Sequence, residues 1–272
     1  MLSVLRHGWP AARAAADAQA ASHGPPGSAG VRGIRRAAAA GVAPESRMMA
    51  GHLGLPCGVY CISLPRSGAR RRHMERQFGR LGWPATFVDA VEGADLDLDA
   101  MRGAGELHPQ NEGLSGPMSH AEVGCALSHA HVWRMLCQSD RRYGLVCEDD
   151  LVLPPSLDLW TLLRGLPGDG DLVYLHYLND ETLASIRPAF NPERDTPVRR
   201  AGALSVYEAW SCGGASCYLV TQRGARKLLE HLRGMRYPSD GLLARLTASG
   251  QLRAYALWPR PVAIHPFEST IR

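Results

Sequence analysis

One stretch of this chain constrains its fold more than any other: an apolar segment interrupted by three consecutive acids. It runs from Tyr143 to Leu153, with Glu148, Asp149 and Asp150 between two apolar flanks. Apolar residues on both sides are typical of a strand that is buried on both faces, in the middle of a parallel or mixed sheet. The sequence therefore predicts a core strand with three carboxylates at its carboxyl end.

Three neighbouring carboxylates need a compensating charge or water. Adjacent carboxylates repel one another, and burying one of them unpaired costs several kcal/mol. A divalent cation would supply the charge, and hard oxygen ligands suit Mn²⁺ or Mg²⁺, which commonly keep open positions for diphosphate oxygens. The alternative is a solvated turn that happens to be acidic.

The first 56 of the 272 residues differ from the rest in composition and charge. They hold 15 alanines, a linker-like segment over 24–30 and six arginines against Asp17 and Glu45, so they carry the whole net charge of +4. We interpret 1–56 as a disordered leader rich in Ala, Arg, Gly and Pro, and 57–272 as the folded domain. A neutral folded domain argues against a nucleic-acid partner, because such domains concentrate positive charge on their folded surface.

Cysteine content and hydropathy indicate the cellular compartment in which the protein is expected. The seven cysteines are an odd number, form no Cys-x-x-Cys pair and fall mostly in apolar runs, which is typical of reduced core residues in a cytoplasmic protein. No segment reaches the roughly 20 apolar residues of a membrane span. We therefore expect a cytoplasmic protein without a transmembrane segment, with peripheral association to an inner membrane left open.

A strand, a helix and a second strand follow the leader. The strand pattern covers 58–64, the helical pattern covers 69–81 before Gly82, and a short strand covers 86–88. This succession predicts a βαβ unit with parallel strands and a right-handed crossover. Ligands of such sheets bind beyond the carboxyl ends of the strands.

Three charged residues stand at those strand ends. Arg66 and Arg70 follow the first strand and Asp89 ends the second. Arginine presents a fork of donors that suits phosphate, and an acid at a strand end commonly accepts from ribose hydroxyls. We interpret the other arginines of the helix as an ordinary solvated face; they are arginines 71, 72, 76 and 80.

A strong helix precedes the acidic strand. Ser119 and Glu122 form a capping-box pattern ahead of an apolar helical periodicity. His129 lies on this helix, either approaching the substrate or as a satisfied structural histidine. His129 and His131 cannot share a helical face, which excludes a His-x-His zinc pair.

The remainder of the chain continues the alternation of strands and helices. The pattern predicts strands at 171–178, 217–220 and 254–258, helices at 157–163, 222–232 and beyond Pro238, and a loop over 185–209 that could form an acceptor-side flap. The chain is therefore expected to be α/β, with a mostly parallel central sheet flanked by helices.

Several of these features together resemble glycosyltransferase family 25, the lipooligosaccharide and procollagen galactosyltransferase group. The likeness covers about residues 58–272. Its landmarks are Ile62-Ser63-Leu64 with Arg66 and Arg70, the turn from Asp89 to Gly93, the block from Gly124 to His129, the acids Glu148 to Asp150, and the Gly224-Ala225 helix after a strand containing Tyr218.

The resemblance implies a GT-A-like, Rossmann-like nucleotide-sugar transferase. It implies UDP-galactose as the usual donor, Mn²⁺ as the usual ion, inversion at the anomeric carbon, and a glycan or lipid-linked saccharide such as lipopolysaccharide or lipooligosaccharide as acceptor. In this picture Asp150 is a metal ligand, and the donor contacts are Arg66, Arg70, Asp89, Ser128, His129, Glu148 and Asp149.

Displacing a nucleoside diphosphate from a sugar also requires a carboxylate that takes the proton of the attacking hydroxyl. Asp240 is our candidate, ahead of Asp180 and Glu181, although it could instead cap a helix beginning at Gly241. His265 is a candidate further metal ligand.

The resemblance is incomplete in the first loop. The family usually has Asn where Ser63 stands and an acid where Pro65 and Ala69 stand. These departures keep open a catalytically degenerate nucleotide-sugar-binding protein, and a metal-dependent phosphohydrolase is the third possibility.

Overall fold

The structure, a computed structural model, describes residues 57–178 and 190–267. The leader 1–56 lies outside the described residues, as do Asp180 and Glu181, the alternative bases. Within the described ranges, no helix combines the length and apolar character that crossing a bilayer requires.

An eight-stranded sheet forms the centre of the fold. Its strands are β1 Cys57–Ser63, β2 Ala85–Asp89, β3 Tyr143–Glu148, β5 Leu172–Leu178, β6 Arg199–Ala201, β7 Leu204–Ala209, β8 Gly213–Thr221 and β9 Ala254–Trp258, in the spatial order β2-β1-β3-β8-β5-β9-β7-β6. β4 Leu151–Val152 and β10 Ala263–Ile264 form a separate antiparallel pair.

Helices cover both faces of the sheet. They are α1 Gly68–Leu81, α2 Leu98–Gly103, α3 His120–Gln138, α4 Leu159–Gly165, α5 Gln222–His231 and α6 Ser239–Ala248, with a 3₁₀ turn at Gly93–Asp95. Residues of α1 and α4 share one buried apolar cluster, and residues of α3, α5 and α6 share another. The sheet therefore lies between two helical layers.

The predicted central strand is confirmed as β3. Leu145 and Cys147 belong to the cluster on one face and Val146 to the cluster on the other, and all three are fully buried. This alternation is the two-residue period of a strand that is covered on both sides.

The βαβ prediction is confirmed as well. β1 pairs in parallel with β2 and also with β3. Helix α1 ends at Gly82, whose φ of 66° is the left-handed conformation that favours glycine. On α3, Ser119 and Glu122 form the capping box in full.

The expectation of a mostly parallel sheet is wrong. Four of the seven neighbouring pairs are antiparallel: β3/β8, β8/β5, β9/β7 and β7/β6. The described part of the predicted loop over 185–209 contains β6 and β7, which form a tight hairpin around Gly202. β8 lies between β3 and β5 and is antiparallel to both of them.

Candidate active site

The carboxyl ends of β1, β2 and β3 meet at one edge of the sheet. In the parallel register Ile62 lies opposite Glu148, and Ser63 lies opposite Asp89. The three acids therefore come directly beside the first loop and the first turn of α1, where the sequence placed the ligand site.

Arg70 is the counter-charge of two of these acids. Its Nε donates to Asp149 Oδ1 at 2.6 Å and its Nη2 donates to Asp150 Oδ2 at 2.9 Å. The Ser63 hydroxyl donates to the other Asp149 oxygen at 2.5 Å. The side chains of Arg70, Asp149 and Asp150 are only 12%, 8% and 19% exposed. Part of the compensating charge that the three acids require is therefore supplied by a guanidinium of the chain itself.

Asp150 nevertheless retains a free ligand atom. Among the described residues its Oδ1 is buried without a hydrogen-bond partner. Burial, followed by the charge of Glu148, raises the pKa of Asp150 to about 6, although Arg70 lowers it. A cation bound at this buried oxygen would stabilise the ionised carboxylate.

His265 contacts Asp150 through its backbone and has a ring nitrogen that is unpartnered within the described ranges. The backbone N–H of His265 donates to the backbone carbonyl of Asp150 at 2.6 Å. The pairing of β10 with β4 holds this C-terminal segment against the turn that contains Asp149 and Asp150. His265 Nδ1 is also buried without a partner in the described part of the chain. A carboxylate oxygen and an imidazole nitrogen are ligands that Mn²⁺ accepts, so these residues fit the predicted ion.

His129 is fully buried behind Glu148. Its Nδ1 lies 2.9 Å from the Tyr218 hydroxyl, which also accepts from Trp133 Nε1 at 2.9 Å. Its Nε2 lies 3.4 Å from Glu148 Oε1. His129 therefore reaches the site through Glu148, and does not itself lie on a cavity wall.

Ser128 and two glycines fix the turn after β2. Ser128 accepts from the Val91 N–H at 2.8 Å and donates to the Gly124 carbonyl at 2.7 Å. A Cβ at Gly93 would lie 2.3 Å from the His120 carbonyl oxygen, and one at Gly124 would lie 2.8 Å from that of Val91. Backbone contact this close explains why glycine stands at both motif positions.

Two cavities meet at this edge. The smaller, about 90 Å³, is lined by Ser63, Arg70, Val91, Ser128 and Asp149 among others, and the larger, about 460 Å³, by Glu112, Glu122, Tyr237, Asp240 and Arg245 among others. Cys125 and Glu148 line both. The cavities are therefore adjacent compartments of one cleft.

The structure brings some predicted residues into this cleft and leaves others at its rim. Arg66 pairs with Glu92 at the surface, and Asp89 pairs with Arg71. Neither cavity is lined by Arg66 or Asp89, nor by the predicted metal ligands Asp150 and His265. Arg71 also donates to the Ser63 carbonyl at 2.8 Å, so its assignment to a solvated face is wrong.

Asp240 lines the larger cavity from the first turn of α6. It is exposed, and its Oδ1 accepts from the Gly241 N–H at 2.8 Å. Because α6 begins at Ser239, the alternative in which Asp240 caps a helix starting at Gly241 is wrong.

Sequence reasoning missed several residues of the cleft. Tyr237, Arg245 and Glu112 form one wall: the Arg245 guanidinium lies 4.1 Å from the Tyr237 ring centre and donates to Glu112 at 2.8 Å. These residues come from distant segments, and nothing in their local spacing indicates that they meet. Cys125 and His129, four positions apart on one helix, did carry a signal as potential ligands.

Comparisons with known proteins identify the family of the chain. Residues 57–243 match the family model described as glycosyltransferase family 25 (LPS biosynthesis protein). The chain is 32% identical over 180 residues to procollagen galactosyltransferase 1-B of Xenopus laevis, covering 63% of this chain and 28% of that protein. It is 26% identical over 176 residues to a putative glycosyltransferase of Haemophilus influenzae, covering 63% of this chain and 56% of that one.

A third relative is named as inactive. The inactive glycosyltransferase 25 family member 3 of Homo sapiens is 31% identical over 217 residues, covering 74% of this chain and 34% of that protein. The matched segments span less than a third of the length of the Aedes aegypti and Xenopus laevis relatives. Since the family model covers well over half of the sequence, the chain belongs to glycosyltransferase family 25.

Proposed function

We propose that this chain transfers a hexose, galactose, from a UDP-sugar to a hydroxyl of a glycan or lipid-linked saccharide, with inversion at the anomeric carbon. The fold would then be a GT-A-like variant with a mixed sheet. The observation that carries the proposal is the two-compartment cleft, in which Glu148 and Cys125 border both cavities. A transferase needs adjacent sites for a donor and an acceptor, and family membership supports glycosyl transfer.

The donor would occupy the smaller cavity. With a volume of about 90 Å³ this cavity is too small for a whole sugar nucleotide, so the donor would extend along the cleft past Glu148. Arg70 supplies the guanidinium for phosphate, positioned by Asp149 and Asp150. Asp150 and His265 would hold Mn²⁺ or Mg²⁺, which when bound supplies charge neutralisation at the leaving diphosphate.

The acceptor would occupy the larger cavity. Tyr237 offers an aromatic face, and Glu112, Glu122 and Asp240 offer acceptors for sugar hydroxyls. Asp240 takes the proton as the hydroxyl oxygen forms its bond to the anomeric carbon, and the bond to UDP breaks with its electron pair leaving on the phosphate. Because the hydroxyl attacks from the face opposite the departing UDP in a single step, the configuration at the anomeric carbon is inverted.

A direct assay tests the proposal. Purified chain is incubated with Mn²⁺ and UDP-galactose, with and without saccharide acceptors, and released UDP is measured. We expect slow release into water, faster release with a suitable acceptor, and loss of both on chelation.

The second candidate is a catalytically degenerate nucleotide-sugar-binding protein. The change at the Ser63 position and the relative named as inactive favour it. A degenerate protein would bind UDP-galactose and release no UDP, whereas a phosphohydrolase would release inorganic phosphate. The compartment would be cytoplasmic, with any membrane contact peripheral.

A further inference from the structure

The Cys125, His129 and Glu148 side chains form a cluster that the proposed reaction does not use as a unit. One ligand atom from each lies within 4.8 Å of the other two. Cys125 and His129 lie one turn apart on α3, so they project from the same face of the helix. Glu148 is the last residue of β3 and approaches that face from the sheet.

The chemistry of this cluster differs from that of Asp150 and His265. A thiolate and an imidazole are ligands that Zn²⁺ and similar thiophilic ions prefer, whereas Mn²⁺ and Mg²⁺ prefer oxygen. Bonds of about 2.0 to 2.3 Å to a tetrahedral ion require ligand atoms roughly 3.5 Å apart. His129 Nε2 and Glu148 Oε1 are 3.4 Å apart, which matches this spacing, and a ligand atom of Cys125 lies within 4.8 Å of the other two residues' ligand atoms.

The surroundings of His129 fix its orientation. Nδ1 contacts the Tyr218 hydroxyl, which Trp133 also holds. The Nε2 atom of His129, which faces Glu148, is therefore the ring nitrogen that could bind a metal ion. Metal-bound histidines in proteins are commonly held in this way, with the second ring nitrogen hydrogen-bonded to a neighbouring group.

The cluster is also accessible from the cleft. Cys125 and Glu148 line both cavities, while His129 is buried behind them. Three protein ligands leave a fourth tetrahedral position open toward the cleft, which is the arrangement of zinc sites that also bind a small molecule.

We propose that Cys125, His129 and Glu148 bind a thiophilic divalent cation of the Zn²⁺ class, with its fourth position facing the cleft. Binding requires neither donor nor acceptor, so it is tested without sugar nucleotides. The result is therefore independent of whether the chain transfers sugar.

The probe is Co²⁺, which replaces Zn²⁺ and gives a near-ultraviolet charge-transfer band when it binds a thiolate. We expect one equivalent of Co²⁺ to produce this band, Zn²⁺ to abolish it by displacing Co²⁺, and excess Mn²⁺ to leave it unchanged. Cys125→Ser should remove the band. Cys137→Ser is the matched control, because Cys137 is a half-exposed cysteine on the same helix, and it should keep the band.

A second measurement uses the unmodified chain. Cys125 and Cys137 are half-exposed and the other five cysteines are buried, so a thiol-alkylating reagent should reach these two first. Zn²⁺ should protect Cys125 and leave Cys137 reactive, as read by peptide mass spectrometry. Absence of the cobalt band, its persistence in Cys125→Ser, or equal alkylation of Cys125 with and without Zn²⁺ would overturn the proposal.

Discussion

Arg70 Nε lies 2.6 Å from Asp149 Oδ1, joining two residues that are 79 positions apart in the sequence. Through this contact the first turn of α1 is attached to the acidic turn after β3, and both side chains line the smaller cavity. The same guanidinium binds Asp150. The acids and the arginine that we propose for phosphate binding therefore form one structural unit.

Removing this guanidinium should destabilise the fold. Arg70→Ala leaves Asp149 and Asp150 without their counter-charge in a mostly buried setting, which we expect to lower the free energy of unfolding by about 3 kcal/mol. Arg76→Ala, on the exposed side of the same helix, should change it by less than about 0.5 kcal/mol. Denaturant unfolding of both variants measures the difference, and equal stabilities would contradict the assigned ion pairs.

Two glycines in helices should respond to alanine with opposite signs. A methyl group at Gly124 would lie 2.8 Å from the Val91 carbonyl oxygen, so Gly124→Ala should cost about 2 kcal/mol. Gly79 has nothing within 4 Å of its Cβ position, so Gly79→Ala should stabilise by about 0.5 to 1 kcal/mol. Thermal unfolding compares the two, and a stable Gly124→Ala variant would refute the close approach of the turn to α3.

Asp171 should stabilise the fold at neutral pH. Burial alone would raise the pKa of Asp171. The hydrogen bonds that Lys227 and Arg223 donate to the carboxylate outweigh the effect of burial and hold this pKa below its ordinary value. The carboxylate's contribution is therefore complete above the unfolded-state pKa of about 3.9 and is lost as pH falls through the lower folded value.

Asp171→Asn should accordingly lower the free energy of unfolding by about 2 kcal/mol at pH 7. This value is smaller than for a fully buried ion pair, because Arg223 and Lys227 are partly exposed. The gap to the unmodified protein should shrink below about pH 4. Denaturant unfolding across this pH range measures it, and a gap that is constant down to pH 3 would show that the carboxylate charge is not the cause.

Asp240→Asn should separate binding from catalysis. The amide keeps the shape of the side chain but cannot take the acceptor's proton, so we expect turnover to fall at least about 100-fold with donor affinity unchanged. Asp140→Asn, at an exposed site away from the cleft, is the control. If Asp240→Asn retained full turnover, the base would have to be another carboxylate, and Glu148 is the one that borders both cavities.

The parts of the site that follow from local sequence were predictable. The apolar run before Glu148 determined the central strand, and Ser119 with Glu122 determined the start of α3. Both signals involve residues that act within a few positions of one another. The acids and Arg70 could be assigned to one sheet edge because parallel strands end together.

The features of the fold and the site that could not be predicted depend on contacts between residues far apart in the sequence. The antiparallel insertion of β8 between β3 and β5 joins strands that are distant in the sequence, and the short strands β6 and β7 carry no strong alternation. The ion pairs of Arg70 with Asp149 and Asp150 were not predicted, because charge alone does not show which cation lies beside a carboxylate. The cluster of Cys125 with Glu148 depends on how α3 packs on β3, which no local spacing reveals.

The central claim is that Asp150 holds a divalent ion against the diphosphate of a sugar nucleotide. Its most direct test is the melting temperature of the protein with UDP-galactose, measured with Mn²⁺ and with chelator, because a ligand of the folded state raises that temperature. We expect a Mn²⁺-dependent rise in the unmodified protein and in Asp140→Ala, and no such rise in a folded Asp150→Ala variant. An equal Mn²⁺-dependent rise in Asp150→Ala would contradict the claim.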